Sequence, residues 1–127
     1  MKVSSNKNLH LLLSGSVVIL AGLVYGGYPT YFMPLIFNFE VHALDLKNIL
    51  RAVMGIYIGI GIFWLIGAKR KDFWKAATFC NVLFMGGIAF GRIVSTLFDG
   101  ISILFTPALV LELLFFVWGM YNLKKYN

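Results

Sequence analysis

Four stretches of this chain are almost continuously apolar, and its polar and charged residues collect between them. They run over residues 9–26, 49–68, 73–91 and 106–123. Each is close to the ~20 apolar residues a helix needs to cross a hydrocarbon core of about 30 Å. The apolar residues follow one another without the period-two alternation of a barrel strand, so the pattern predicts helices. Two starts are marked: Thr106 suits an N-cap with Pro107 at the first helical position, and Asn48 suits a cap for the second helix. The first stretch, preceded by Lys2 and Lys7, has the outline of a secretory signal. It lacks a small-x-small cleavage site, its apolar run is long and the chain still carries Met1, so a retained span is expected.

Composition agrees with the pattern. Of 127 residues, 60% are hydrophobic and only 13% charged, too few polar side chains to cover a soluble globule. The single cysteine, Cys80, excludes an internal disulfide and a thiolate metal cluster. The net charge of +6 raises the question of nucleic acid. Its distribution answers otherwise. With the four stretches threaded through a membrane, Lys2, Lys7, Lys69, Arg70, Lys71, Lys75, Lys124 and Lys125 fall on one side, and Lys47 alone falls in a loop on the other. By the positive-inside rule both termini are expected to be cytoplasmic, in a multi-pass protein of the inner (cytoplasmic) membrane. The basic excess is expected to set topology and to meet anionic headgroups, with no nucleic-acid partner.

Two segments are expected on the outer side. Residues 28–47 hold Pro29, Pro34 and several aromatics, too apolar for a plain solvated loop. Residues 92–105 contain the turn pair Asp99-Gly100.

Few residues can carry chemistry. Arg51 lies within two turns of the start of the second span, Arg92 closes the third, and Glu112 sits roughly 7.5 Å past Pro107 at 1.5 Å per residue. All three are expected at similar depth on the outer side. A charge inside a span costs at least about 2.5–3.5 kcal/mol, so such residues pair or face a polar cavity. One carboxylate cannot neutralise two guanidiniums, which leaves Asp99, Glu40 or an anionic ligand as the second acid. Arg51 shares a face with Gly55 and Gly59, with Tyr57 nearby, and Arg92 shares a stripe with Ile88, Met85 and Asn81. The pairs Gly22/Gly26, Gly55/Gly59 and Gly87/Gly91 allow close helix approach and suggest that the arginines point inward. Arg51, Arg92, Glu112, Asp99, Tyr57 and Asn81 are therefore the candidate ligand-binding residues. The plainer reading is that the arginines snorkel, or that one pairs with Glu112 only to fix packing.

Other chemistry is poorly served. His10 and His42 are expected on opposite sides of the membrane and cannot share a metal. Ser14, Ser16, Ser95 and Ser102 lack a local base for a catalytic triad. Trp64, Trp74, Trp118, Tyr121 and Tyr126 read as interfacial belt residues. No catalytic residue, metal site or cofactor is expected.

The order of these signals resembles a small bacterial four-helix membrane family classed as a domain of unknown function, DUF4345. The resemblance rests on Tyr25-Gly26-Gly27-Tyr28-Pro29, Arg51 to Tyr57, Gly91-Arg92, Asp99-Gly100 and Glu112, and covers nearly the whole chain. It implies four helices and no transferable activity. The topology is also similar, more distantly, to the DoxX-like four-helix proteins, some of them linked to quinone-dependent redox systems. The expectation is thus an all-α integral membrane protein, a four-helix transmembrane bundle forming one domain over residues 1–127. An outer-side pocket is expected to bind or transport a small anionic or lipid-like ligand. The alternative is an accessory subunit, partnered by other membrane subunits or by copies of itself, and last comes a lipid- or quinone-modifying enzyme.

Overall fold

The structure, a computed structural model, describes residues 2–126, with side chains from Asn6 onward; the Lys2 side chain, whose charge is counted above, lies outside the described ones. No strand occurs among them. The elements are α1 (Lys2–Gly26), a short α2 (Pro29–Phe32), a π-helical turn (Met33–Phe37), α3 (Leu44–Lys69), α4 (Lys71–Asp99) and α5 (Thr106–Tyr126). Among the described residues, four helices are long and apolar enough to cross a membrane, over Asn6–Gly26, Leu44–Lys69, Lys71–Asp99 and Thr106–Tyr126. Many large apolar side chains, among them Leu20, Leu83, Phe90, Leu114 and Val117, are exposed on these helices, as a lipid environment permits.

The helices extend past the apolar runs. α3 begins at Leu44, so Asn48 lies inside it and is no cap. α4 continues two turns beyond Arg92, to Asp99, through Ile93, Val94, Ser95, Thr96, Leu97 and Phe98. It stops at Gly100, whose φ of 107° suits glycine and whose N–H reaches the Thr96 carbonyl at 3.2 Å. Thr106 does not cap α5: its hydroxyl donates to the Ser102 carbonyl. The Ser102 hydroxyl in turn accepts from the Phe105 N–H at 3.2 Å.

Within residues 28–47, the two prolines fall in the short helical elements that precede α3. Pro29 occupies the first turn of α2, where its missing N–H costs nothing. Pro34 has no N–H to give to an i−4 carbonyl, and here the chain widens into the π-helical turn. Asn38 closes that turn in the left-handed region at φ 61°, donating its N–H to Pro34.

The chain packs as two units. In the first, formed by Met1–Leu11 and Ile66–Asn127, α4 and α5 bury Trp74, Ala77, Val82, Met85, Ala89 and Phe115. In the second, Leu12–Leu65, α1 lies against α3 through glycines. A Cβ at Gly22 would sit 2.8 Å from the Tyr57 Cβ, and one at Gly61 would strike Ile19 and Val18. Gly26 likewise abuts Met54 and the Leu50 carbonyl. By contrast, Gly55, Gly59, Gly87 and Gly91 meet nothing within 4 Å. Of the three expected small-residue pairs, only Gly22/Gly26 makes a close helix contact.

Candidate functional site

In the first unit, α4 and α5 are joined near one end by an ion pair. Arg92 Nε donates to both Glu112 oxygens, at 2.8 and 3.0 Å. The two side chains are only 22% and 12% exposed, so the contact is largely withdrawn from solvent or headgroups. Of the two arginines expected to compete for Glu112, Arg92 takes it. The Arg92 guanidinium also stands 5.3 Å from the centroid of the Phe105 ring, and its main-chain carbonyl accepts the Thr96 hydroxyl.

Beside this pair lies a cavity of about 310 Å³. Arg92, Ser95, Thr96, Ser102 and Thr106 supply its polar wall, and Ile88, Phe105 and Leu109 its apolar wall. Ser95 donates to Asp99 at 3.0 Å, so Asp99 is tied to the rim of the cavity through a wall residue. The sequence-predicted residues Arg92, Glu112 and Asp99 therefore gather around one site. Ser102, Thr106 and Phe105 belong to it as well; Ser102 and Thr106 appear in the sequence only as isolated hydroxyls in the largely apolar segment after Gly100.

The other predicted residues sit elsewhere. Arg51 belongs to the second unit, where its Nη1 donates to the carbonyls of Gly26 and Gly27 at 2.8 and 3.0 Å. A cation at the carbonyl end of α1 satisfies orphan acceptors and complements the helix dipole. Its neighbours Gly55 and Gly59 are open, so the inference that they steer Arg51 inward fails. Tyr57 packs edge-on against Tyr25, centroids 5.7 Å apart, and Tyr25 stacks on Phe37. Asn81 is fully buried on α4, but roughly 16 Å of helix separates it from Arg92. The two share a stripe without sharing a site.

A buried polar layer occupies the first unit farther along the same helices. Four contacts set its register. Lys7 Nζ lies 4.4 Å from the Trp74 ring centroid, His10 Nε2 is 3.0 Å from the Phe115 carbonyl, and Gly119 abuts both His10 and Val82. His10, Thr78 and Asn122 consequently stand at about the same level, and all three are essentially inaccessible. The His10 ring meets Phe115 and Trp118 edge-on, at 5.9 and 5.2 Å. Among the described residues, neither the Thr78 hydroxyl nor either end of the Asn122 amide has a hydrogen-bond partner. Trp64 and Trp74, expected at a lipid-facing belt, are buried within the protein.

Comparison with known proteins gives one match. The family model for a domain of unknown function (DUF4345) matches residues 7–123. No curated protein and no solved structure matches the chain.

Proposed function

The chain belongs to the DUF4345 family, and we propose that it is a multi-pass membrane protein that binds or transports a small anionic or lipid-like ligand in the cavity beside Arg92 and Glu112. One observation carries the proposal: a cavity of about 310 Å³ whose wall combines a guanidinium and four hydroxyl residues with an apolar flank. That size is at the lower limit of small-molecule sites, roughly 300–1,000 Å³. The composition suits a short amphipathic acid, its oxygens toward Arg92, Ser95 and Thr106 and its carbon chain toward Ile88 and Leu109. The positive-inside rule favours an outer-side placement: eight basic residues near the cytoplasmic ends of the spans, against Lys47 alone on the other side, support cytoplasmic termini with this cavity opposite.

The test is a thermal-shift series with short alkyl carboxylates and alkyl phosphates. A true ligand at about 100 times its Kd stabilises by about 2.7 kcal/mol. Filling the cavity with Leu109→Trp removes that shift. A series that stabilises wild type and Leu109→Trp equally contradicts the proposal.

A second reading, a subunit of a homo-oligomer or larger membrane complex, draws on the open faces at Gly55/Gly59 and Gly87/Gly91, where another helix backbone could approach. It predicts stoichiometric partners after purification in mild detergent. A lipid- or quinone-modifying activity has less support, since both oxygens of Glu112, its best acid or base, are held by Arg92.

A further inference from the structure

At the other end of the first unit, remote from Arg92 along α4, lies a second cavity of about 310 Å³. Its wall is formed by Lys7 and Asn8 of α1, Gly67, Ala68 and Lys69 at the end of α3, and Lys71 and Trp74 at the start of α4. We propose that this cavity is a binding site for a phosphate group, most simply that of an anionic phospholipid headgroup.

Four features converge on it. Lys7, Lys69 and Lys71 line the wall together. Among the described side chains of residues 6–11, 66–75 and 120–126, Asp72 is the only acidic one, and it pairs with Arg70 at 3.0 Å. α4 begins at this wall with no side-chain cap, and the uncapped N–H groups of a long helix favour an anion. Trp74, only 4% exposed, is among the lining residues, and its indole N–H has no hydrogen-bond partner among the described residues. A buried donor of that kind calls for an acceptor, and phosphate oxygens are acceptors only.

The local packing explains how the site is assembled. Gly67 abuts Ala77, an approach that any Cβ would prevent, which brings the end of α3 against α4. Arg70 alone separates the two helices, so Lys69 and Lys71 flank a one-residue break. The Lys7 ammonium lies over the faces of Trp74 and Tyr126, at 4.4 and 5.7 Å from their centroids. These contacts fix Lys7 at the wall, where a freely snorkelling lysine would be scattered. Tryptophan, tyrosine and lysine gathered at a helix end is the composition of the headgroup region, which favours a lipid as the source of the phosphate.

The test uses the full chain in nanodiscs of zwitterionic lipid doped with an anionic phospholipid, with native mass spectrometry reading the lipid retained after detergent release. Wild type is expected to retain one anionic phospholipid in preference to the zwitterionic one. Lys7→Gln and Lys71→Gln should each weaken retention about fivefold, as expected for one lysine at an anionic surface. Lys71→Arg should keep it. Lys124→Gln with Lys125→Gln removes two charges outside the cavity, twice that of either single variant, and should still change retention less than twofold. Trp74→Phe, with unchanged helical circular dichroism, should weaken it severalfold. In a second arm, millimolar inorganic phosphate is added to protein in purely zwitterionic discs. A tryptophan fluorescence change lost in Trp74→Phe and in Lys71→Gln would assign the site to a soluble phosphate. No selective retention and no phosphate response, or equal losses in the Lys124/Lys125 control, overturns the proposal.

Discussion

Breaking the Arg92–Glu112 pair is the most informative perturbation of the fold. Its two contacts of 2.8 and 3.0 Å place the charges at about 4 Å, worth about 4 kcal/mol at an effective dielectric constant near 20. At 22% and 12% exposure, solvent screens little of that, but the desolvation of both groups opposes it. Removing one partner strands the other charge. Glu112→Leu should therefore cost about 3 kcal/mol, near the lower bound for a broken buried pair and similar to the cost of an unpaired arginine in a span. Arg92→Leu should cost a similar amount. The double variant Arg92→Leu/Glu112→Leu removes both charges and leaves apolar side chains at the α4–α5 contact. It should recover most of the loss and end within about 1 kcal/mol of wild type. The assay is reversible unfolding in mixed micelles titrated with denaturing detergent, followed by circular dichroism. The reasoning predicts strong non-additivity, with the double variant more stable than either single. Single losses that simply add, with a coupling below about 0.5 kcal/mol, would falsify it.

Other expectations follow from specific contacts. Gly119→Ala places a Cβ 2.7 Å from Val82 Cγ2 and 3.2 Å from the His10 ring, so unfolding should show a loss of about 1–3 kcal/mol. Gly55→Ala, whose Cβ meets nothing within 4 Å, should hold or gain up to about 1 kcal/mol from helix propensity in the same assay. Arg51→Leu removes two hydrogen bonds to the end of α1 and should cost about 1–3 kcal/mol, with faster amide exchange confined to the last turn before Gly26. Asn122→Leu replaces a buried amide that has no hydrogen-bond partner among the described residues; it should leave the thermal midpoint unchanged or raise it.

The sequence pattern was a good guide to the spanning helices and a weaker one to where they end. The apolar run read as the third span closes at Gly91, yet α4 continues through Ile93, Val94, Leu97 and Phe98 to Asp99, because neither Arg92 nor the hydroxyls of Ser95 and Thr96 stop the backbone ladder and Gly100 does. The pairing of Arg92 with Glu112 was one of two options that charge and depth left open. The choice between them turned on Arg51, whose partners are the carbonyls of Gly26 and Gly27. A main-chain acceptor at a helix end leaves no mark in side-chain chemistry. The buried layer of His10, Thr78 and Asn122 was hidden for a different reason. Each is a single polar residue in an apolar run, and only the register among α1, α4 and α5 puts them at one level. The basic end shows the reverse: its lysines were plain in the sequence as a topology signal, while the cavity they line depends on the Gly67–Ala77 approach.

The central claim is that the cavity beside Arg92 holds a ligand. The most direct test is native mass spectrometry of the full chain carrying Lys7→Gln and Lys71→Gln, which silences the basic end, compared with the same protein also carrying Leu109→Trp. A bound mass of a few hundred daltons or less, in keeping with a cavity of about 310 Å³, is predicted in the first protein and not in the second. A first protein that carries no such mass after gentle release, or one whose bound mass persists unchanged when Trp fills the cavity, contradicts the account.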